Sequence, residues 1–121
     1  MIMDDSPASA RRLVITYRPP AMLRPDPRNA RTHPKRQIEQ IKASIAAFGF
    51  TNPILADSDL LVIAGHGRLL AAKALNLAEV PVIEIADLSE AQKRALRIAD
   101  NKIALNAGWD LEILRQELAE L

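Results

Sequence analysis

Ile38, Ile41, Ile45 and Phe48 recur at spacings of three, four and three, which puts them on one stripe of a helix. Thr32 or His33 stands where its N-cap would be, Pro34 falls in the first turn, and Gly49 ends the pattern. Two short apolar runs follow, "NPILAD" and "LLVIAG", parted by "SD", and read as strands around a tight turn. "GRLLAAKALN" is a second helix of good helix formers. "VPVIEIA" is a strand with Val80, Val82 and Ile85 inward and Pro81 near its start or on a sheet edge. Ser89, with Gln92 three residues on, forms a capping box for a long helix through "EAQKRALRIADNKIAL", which Asn106 and Gly108 stop. Asp110 caps a last helix with Leu111, Leu114, Leu118 and Leu121 on one stripe. Ahead of all these, "LVITY", Leu13 to Tyr17, reads as a short strand. "RPPAMLRPDPRNARTHP" holds five of the eight prolines and reads as a stiff loop. The pattern predicts an α+β domain: a short mixed sheet packed with helices, with a helical C-terminal part.

At 121 residues the chain has room for one core. Residues 1–12 read as a disordered lead-in, 13–105 as the folded domain and 106–121 as a C-terminal helix. With aromatics at 3%, Ile, Leu, Val and Ala must build the interior. No apolar run approaches membrane-spanning length, so no membrane partner and a cytoplasmic location are expected. The absence of cysteine excludes disulfides, thiolate metal sites and sulfur nucleophiles.

The net charge of +1 conceals an asymmetry. Residues 1–36 carry eight basic groups against three acidic ones, and the remainder is net negative. A basic front suggests a polyanion such as DNA, with Arg28, Arg31, Lys35 and Arg36 as candidate contacts. A solvated arm is the alternative.

The chemistry concentrates at "IAGHGRLLAA", where a strand ends in glycine and passes into a helix. The first helical N–H groups lack intrahelical partners, and the helix dipole adds partial positive charge there. Gly65 and Gly67 would let a ligand approach the backbone, Arg68 adds a charged donor, and His66 could donate to phosphate or act as acid or base. No Walker or dinucleotide fingerprint is present. The alternative is a plain strand-to-helix turn whose arginine pairs with an acid. In "RIADNKIAL", Asp100 and Asn101 interrupt an apolar helix. They offer an oxygen pair for magnesium, or else Asp100 is a surface carboxylate paired with Arg97 or Lys102.

Four segments in order resemble the ParB/sulfiredoxin-like superfamily, and within it the ParB N-terminal domain. "PDPRNAR" resembles its "NPxQPR" segment, "IKASIAAFGFTNPILA" its "LAxSIxxxGxxxPIxV", "IAGHGRLLAA" its "GERRxRA" box and "RIADNKIAL" its "ENxxR" box. The similarity runs from Leu13 to Leu105. It is greatest to the ParB domains that precede phage- and prophage-type DNA-modification methyltransferases. The resemblance implies a pocket for a nucleoside triphosphate, CTP or ATP, with Mg2+. Gly65, His66, Gly67, Arg68, Arg31 and Asn101 would stand around the phosphates, with Thr51 and Asn52 on the base-facing segment. Asp100 and Asn101 would stand on the metal side. Leu70 and Ala104 replace two arginines of the family pattern, so hydrolysis would be slow at most. The resemblance further implies DNA as a partner of the complete protein, closure as a homodimer, and a DNA-binding or methyltransferase region beyond residue 121. The competing function classes are a phosphoryl-transfer or nuclease enzyme using His66, and a tethering domain without nucleotide. Sulfiredoxin chemistry needs a cysteine that the chain lacks.

Overall fold

A computed structural model describes residues 11–28, 33–106, 116, 117, 119 and 120, with 101–106 described by backbone alone. Four strands and three α-helices make up these residues. The strands are β1 (Ile15–Arg18), β2 (Ile54–Ala56), β3 (Val62–Ala64) and β4 (Val80–Glu84). The helices are α1 (Lys35–Phe48), α2 (His66–Ala74) and α3 (Glu90–Asn106). The strands form one mixed sheet in the order β1-β4-β2-β3. β4 is antiparallel to β1 and parallel to β2, while β3 returns antiparallel to β2. This is the α+β architecture, a short mixed sheet packed with helices, that the sequence pattern leads one to expect.

β4 is an interior strand, so Pro81 does not sit at an edge. It is the second residue of the strand, opposite Tyr17, where one missing N–H costs the ladder little. Val80 to Ile83 are all buried, and a strand covered on both faces reads as a continuous apolar run. Val80 and Val82 join Leu23, Ile54, Ala56, Val62, Leu69 and Ala72 in the core, and Ile85 is buried just past the strand.

Leu23 reaches that core from the proline-rich stretch, which is more ordered than a plain loop. Pro20–Met22 form one 3-10 turn. The chain is then lashed beside β3: Arg24 N–H donates to Leu60 O at 2.8 Å, and Val62 N–H donates to Arg24 O at 2.8 Å. The β2–β3 connection is also longer than the two-residue turn of the sequence reading, because it is built around Asp57. The Asp57 carboxylate accepts the amides of Asp59 (2.9 Å) and Leu61 (3.0 Å), and Leu60 takes φ +62°. Side-chain oxygens closing such turns are a common property of Asp.

α1 starts one residue later than expected. Pro34 is itself the boundary residue, with φ −62° and ψ 151°, and no side chain caps the helix. Proline keeps the residue before it extended, so His33 stays outside the helix; its Nδ1 lies 3.0 Å from Gln37 Oε1. Gly49, at φ +82°, ends the helix, donating its N–H to Ile45 O at 2.8 Å. Ile38, Ile41 and Ile45 are half-buried, whereas Phe48 is 77% exposed. A 14-residue helix is about 21 Å long and packs on a nine-residue one of about 13.5 Å, so its end overhangs.

α3 opens on the expected capping box. Ser89 N–H donates to Gln92 Oε1 (2.8 Å), and Gln92 N–H donates to Ser89 Oγ (3.1 Å). Two ion pairs hold its first turns: Lys93 with Asp57 at 2.9 Å, and Arg97 with Asp26. Burial pushes the Asp57 carboxyl up, but Lys93 and the two turn amides outweigh that and hold it below its ordinary value. At the other side of the sheet, β1 is fastened to β4 by Arg18–Glu84 (2.8 Å), and the chain just before it by Arg11–Asp87 (2.6 Å). The expected C-terminal helix at Asp110, Leu111, Leu114, Leu118 and Leu121, and the lead-in at 1–10, lie outside the described residues.

Candidate functional site

The turn between β3 and α2 is built on Gly65. It takes φ +103° and ψ 24°, a left-handed conformation in which a side chain is strained, and serves as the N-cap of α2. His66, Gly67 and Arg68 are therefore the first three helical residues, one residue earlier than the sequence pattern suggested. Their N–H groups belong to the set that an α-helix leaves without an intrahelical acceptor. The two glycines differ in role. A Cβ on Gly67 would stand 3.0 Å from His33 Nδ1 and 3.2 Å from Ile41 Cδ1, so this glycine lets α1 lie against α2. The space beside it is thus filled by the protein's own side chains.

A cavity of about 100 Å³ opens at this turn, lined by Gly65 to Arg68, by His33, Gln37 and Ile41 from the α1 side, and by Asp100 of α3. Asp100 is exposed and shares the cavity with the glycine turn, while the Arg97 proposed as its surface partner is committed to Asp26. Arg68 Nη2 donates to the Pro53 carbonyl at 3.0 Å. Arg68 also lines a second cavity of about 320 Å³, whose walls include Ile41, Ser44, Thr51 and Asn52. The two cavities thus share Ile41 and Arg68 as wall residues. The side chain of Asn101, and Arg31 altogether, lie outside the described residues.

His66 is buried, and its Nε2 accepts the Asp26 N–H at 3.1 Å. Burial, reinforced by the charge of Arg97 and by His33 and opposed by Asp26, pushes its pKa down to about 4. A residue that is neutral at pH 7, with Nε2 already engaged, is poorly suited to the acid or base role considered from the sequence. Asp26, 7% exposed, is the centre of this network. It pairs with buried Arg97, accepts the Arg28 N–H at 2.8 Å, and donates to His66. The proline-rich loop is thereby tied at one residue to both α2 and α3. Asp26 was assigned no role from sequence, and Arg97 only that of a surface partner to Asp100. The signals were an acid clamped between two prolines in "PDP" and an arginine breaking the apolar run of "ALRIA".

This network has a pH signature. The unfolded chain takes up the His66 proton near pH 6.5, and the folded one only near pH 4. Stability is therefore full above pH 6.5, is lost as pH falls from 6.5 towards 4, and levels off for this group below that. Urea midpoints measured from pH 7 to 4 should fall in the wild-type protein and flatten in His66→Gln, whose side-chain oxygen can accept the same amide. A flat wild-type profile would count against the assignment.

The basic candidates are distributed. Lys35 and Arg36 are exposed in the first turn of α1, the positive end of its dipole, where cations are unfavourable. Arg28 lines a groove of about 240 Å³ with Asp26, Lys93, Arg94 and Arg97. Among the described residues no three acidic or imidazole groups converge to hold a metal ion, and no helix is long and apolar enough to cross a membrane.

Sheet order, the glycine-capped helix and the loop lashed beside it define a small α+β domain of the ParB/sulfiredoxin type. The chain belongs to the ParB N-terminal domain family, whose profile matches residues 5–102. The ParB-like nuclease domain-containing protein YnaK of Escherichia coli (strain K12) is 47% identical over 83 residues, covering 69% of this chain and 95% of YnaK. The fold resembles the C-terminally truncated chromosome-partitioning protein ParB from Caulobacter crescentus, solved in complex with CTP-gamma-S. That match has a TM-score of 0.71 and 24% identity over 88% of this chain and 60% of that one. Sulfiredoxin from Arabidopsis thaliana shares the fold with a TM-score of 0.58 and 20% identity, over 69% of this chain and 97% of the other.

Proposed function

We propose that the domain binds a nucleoside triphosphate, phosphates at Gly65–Arg68 and base towards Thr51 and Asn52, and serves as a nucleotide-responsive accessory to DNA. The observation that carries this reading is the sharing of Arg68 by the two cavities. One is lined by the first residues of α2 and the other by the 51–52 segment, with Arg68 in the wall of both. The CTP-gamma-S bound by the Caulobacter relative favours CTP, with ATP as the runner-up. Asp100 fits Mg2+ in donor type, since magnesium beside phosphates commonly takes one or two carboxylates and fills the rest of its shell with phosphate oxygens and water. Bound there, the ion would neutralise phosphate charge. Asn101 is assigned to the same side. Lys35 and Arg36, with Arg28 and Arg31, are assigned to DNA phosphates, since cations held against a helix dipole are better explained by an anionic partner than by stability. An accessory role beside a DNA methyltransferase, and closure as a homodimer, belong to the same proposal for the complete protein.

Calorimetric titration with the four ribonucleoside triphosphates, with and without magnesium, tests it. Arg68→Ala should weaken binding by roughly 10- to 100-fold, the equivalent of a charge-assisted contact of about 1.5–3 kcal/mol. Asp100→Ala should remove the magnesium dependence. Retention on duplex DNA should fall steeply with salt. Absence of binding by all four nucleotides would return the tethering reading to first place.

A further inference from the structure

His33 has no part in the assignments above, yet it lines the smaller cavity together with the glycine turn. Its ring rests against Gly67, with Nδ1 3.0 Å from where a Cβ would be. The same nitrogen lies 3.0 Å from the Gln37 side-chain amide. The other ring nitrogen, Nε2, is buried and has no hydrogen-bond partner among the described residues. Buried polar atoms are nearly always satisfied, so an orphaned one on a residue that lines a cavity calls for an explanation. An occupant of the cavity supplies one.

The chemistry of that occupant follows from the surroundings. Gln37 offers an oxygen that accepts and an NH2 that donates, so a rotation of its amide lets Nδ1 be either donor or acceptor. Nε2 then takes the opposite role. His33 faces the helix N-terminus of α2 with Arg68 and neutral His66, and Asp100 of α3 is the one acid in the wall. Open amides and a guanidinium select an anion. An anion in turn selects the tautomer in which Nε2 carries the proton and the Gln37 NH2 donates to Nδ1.

We propose that His33 is a phosphate-contacting residue of this site, donating Nε2–H to a phosphate oxygen while Gln37 sets its tautomer. The role rests on the nucleotide reading given above. It also makes the two histidines of the chain opposite tautomers, because His66 must keep Nε2 bare to accept the Asp26 amide.

Two measurements test the proposal on the full chain. In protein labelled with nitrogen-15 histidine, long-range proton–nitrogen correlations should show, on addition of CTP and magnesium, one ring with protonated Nε2 and one with protonated Nδ1. His66→Gln assigns the second. In calorimetry, His33→Ala should weaken CTP binding roughly 2- to 10-fold, the scale of one neutral hydrogen bond. His33→Gln, whose amide reaches the position of Nε2, should recover part of the loss, and the shorter His33→Asn should not. If the variants do not fold, because the ring also packs on Gly67, the tautomer in the wild-type complex decides. A bare Nε2 in that complex, or wild-type affinity in a folded His33→Ala, overturns the role of His33 alone. Failure of the wild-type protein to bind any of the four nucleotides overturns the nucleotide reading, and this role with it.

Discussion

Arg97→Met should destabilise the domain by about 3–5 kcal/mol, the range seen when one member of a buried ion pair is removed. The argument turns on what stays behind. Arg97 and Asp26 are each 7% exposed, and their pair joins α3 to the proline-rich loop. With methionine at 97, the Asp26 carboxylate keeps the Arg28 N–H but loses its charge partner inside the protein. A carboxylate left in that position without its partner is unfavourable and is drawn towards the surface, which disturbs the amide that Asp26 gives to His66. The double variant Asp26→Asn with Arg97→Met should recover much of the loss, because it leaves no unpaired charge. Urea unfolding followed by circular dichroism measures both. A single-variant loss under 1 kcal/mol, or a double variant no better than the single, would show that the pair is not held in the interior.

Gly65→Ala should cost about 2–5 kcal/mol and abolish triphosphate binding with it. Part of the cost is conformational: at φ +103° an alanine is held where a Cβ crowds the backbone, at about 1–2 kcal/mol. The rest is packing. The new Cβ would stand 3.2 Å from Ile54 Cγ1 and 3.0 Å from Arg68 Nη2. The arginine tip can shift, but Ile54 is fully enclosed, and overfilled sites of that kind typically lose a further 1–3 kcal/mol. Any shift of Arg68 also moves the group that lines both cavities. Thermal unfolding and titration with CTP are the measurements, and an alanine variant that keeps both stability and affinity would overturn this account of the turn.

Periodic elements were legible because their signals are local. The Ile38–Ile41–Ile45 stripe, the Ser89–Gln92 box and the stop at Gly49 depend on residues three or four apart, and the structure has each of them, while Gly108 lies outside the described residues. Phe48 obeyed the same periodicity and is exposed, since periodicity names a face without saying how far the neighbouring helix extends along it. Pro81 suggested an edge, but sheet order is set by which strands meet after the chain has turned. The glycine turn and Asp100 could be singled out by residue type, and the fold brings them to one cavity. The charged pairs behind that cavity could not. Asp26 meets Arg97 and Asp57 meets Lys93 across 71 and 36 residues, and no local pattern links either pair. His33 was read, with Thr32, as one of two candidate helix caps because a polar residue ahead of a proline at a helix start has that meaning locally. Only packing against Gly67 shows where the ring goes.

The outer strand of the sheet carries a consequence of its own. β1 has a single neighbour among the described strands, and Ile15 and Tyr17 along it, like Leu13 and Val14 just before it, are exposed, so little apolar burial fastens it. What holds it beyond its ladder are the Arg18–Glu84 and Arg11–Asp87 pairs, both reached by solvent. Ionic strength weakens such pairs and leaves the enclosed ones at Asp26 and Asp57 nearly untouched. The domain is therefore divided into a margin whose opening is tuned by the surrounding electrolyte and an interior that is not. Amide groups of β1 would exchange by brief local release, on a clock set by salt, while the strands beside the cavities keep the slower clock of global unfolding.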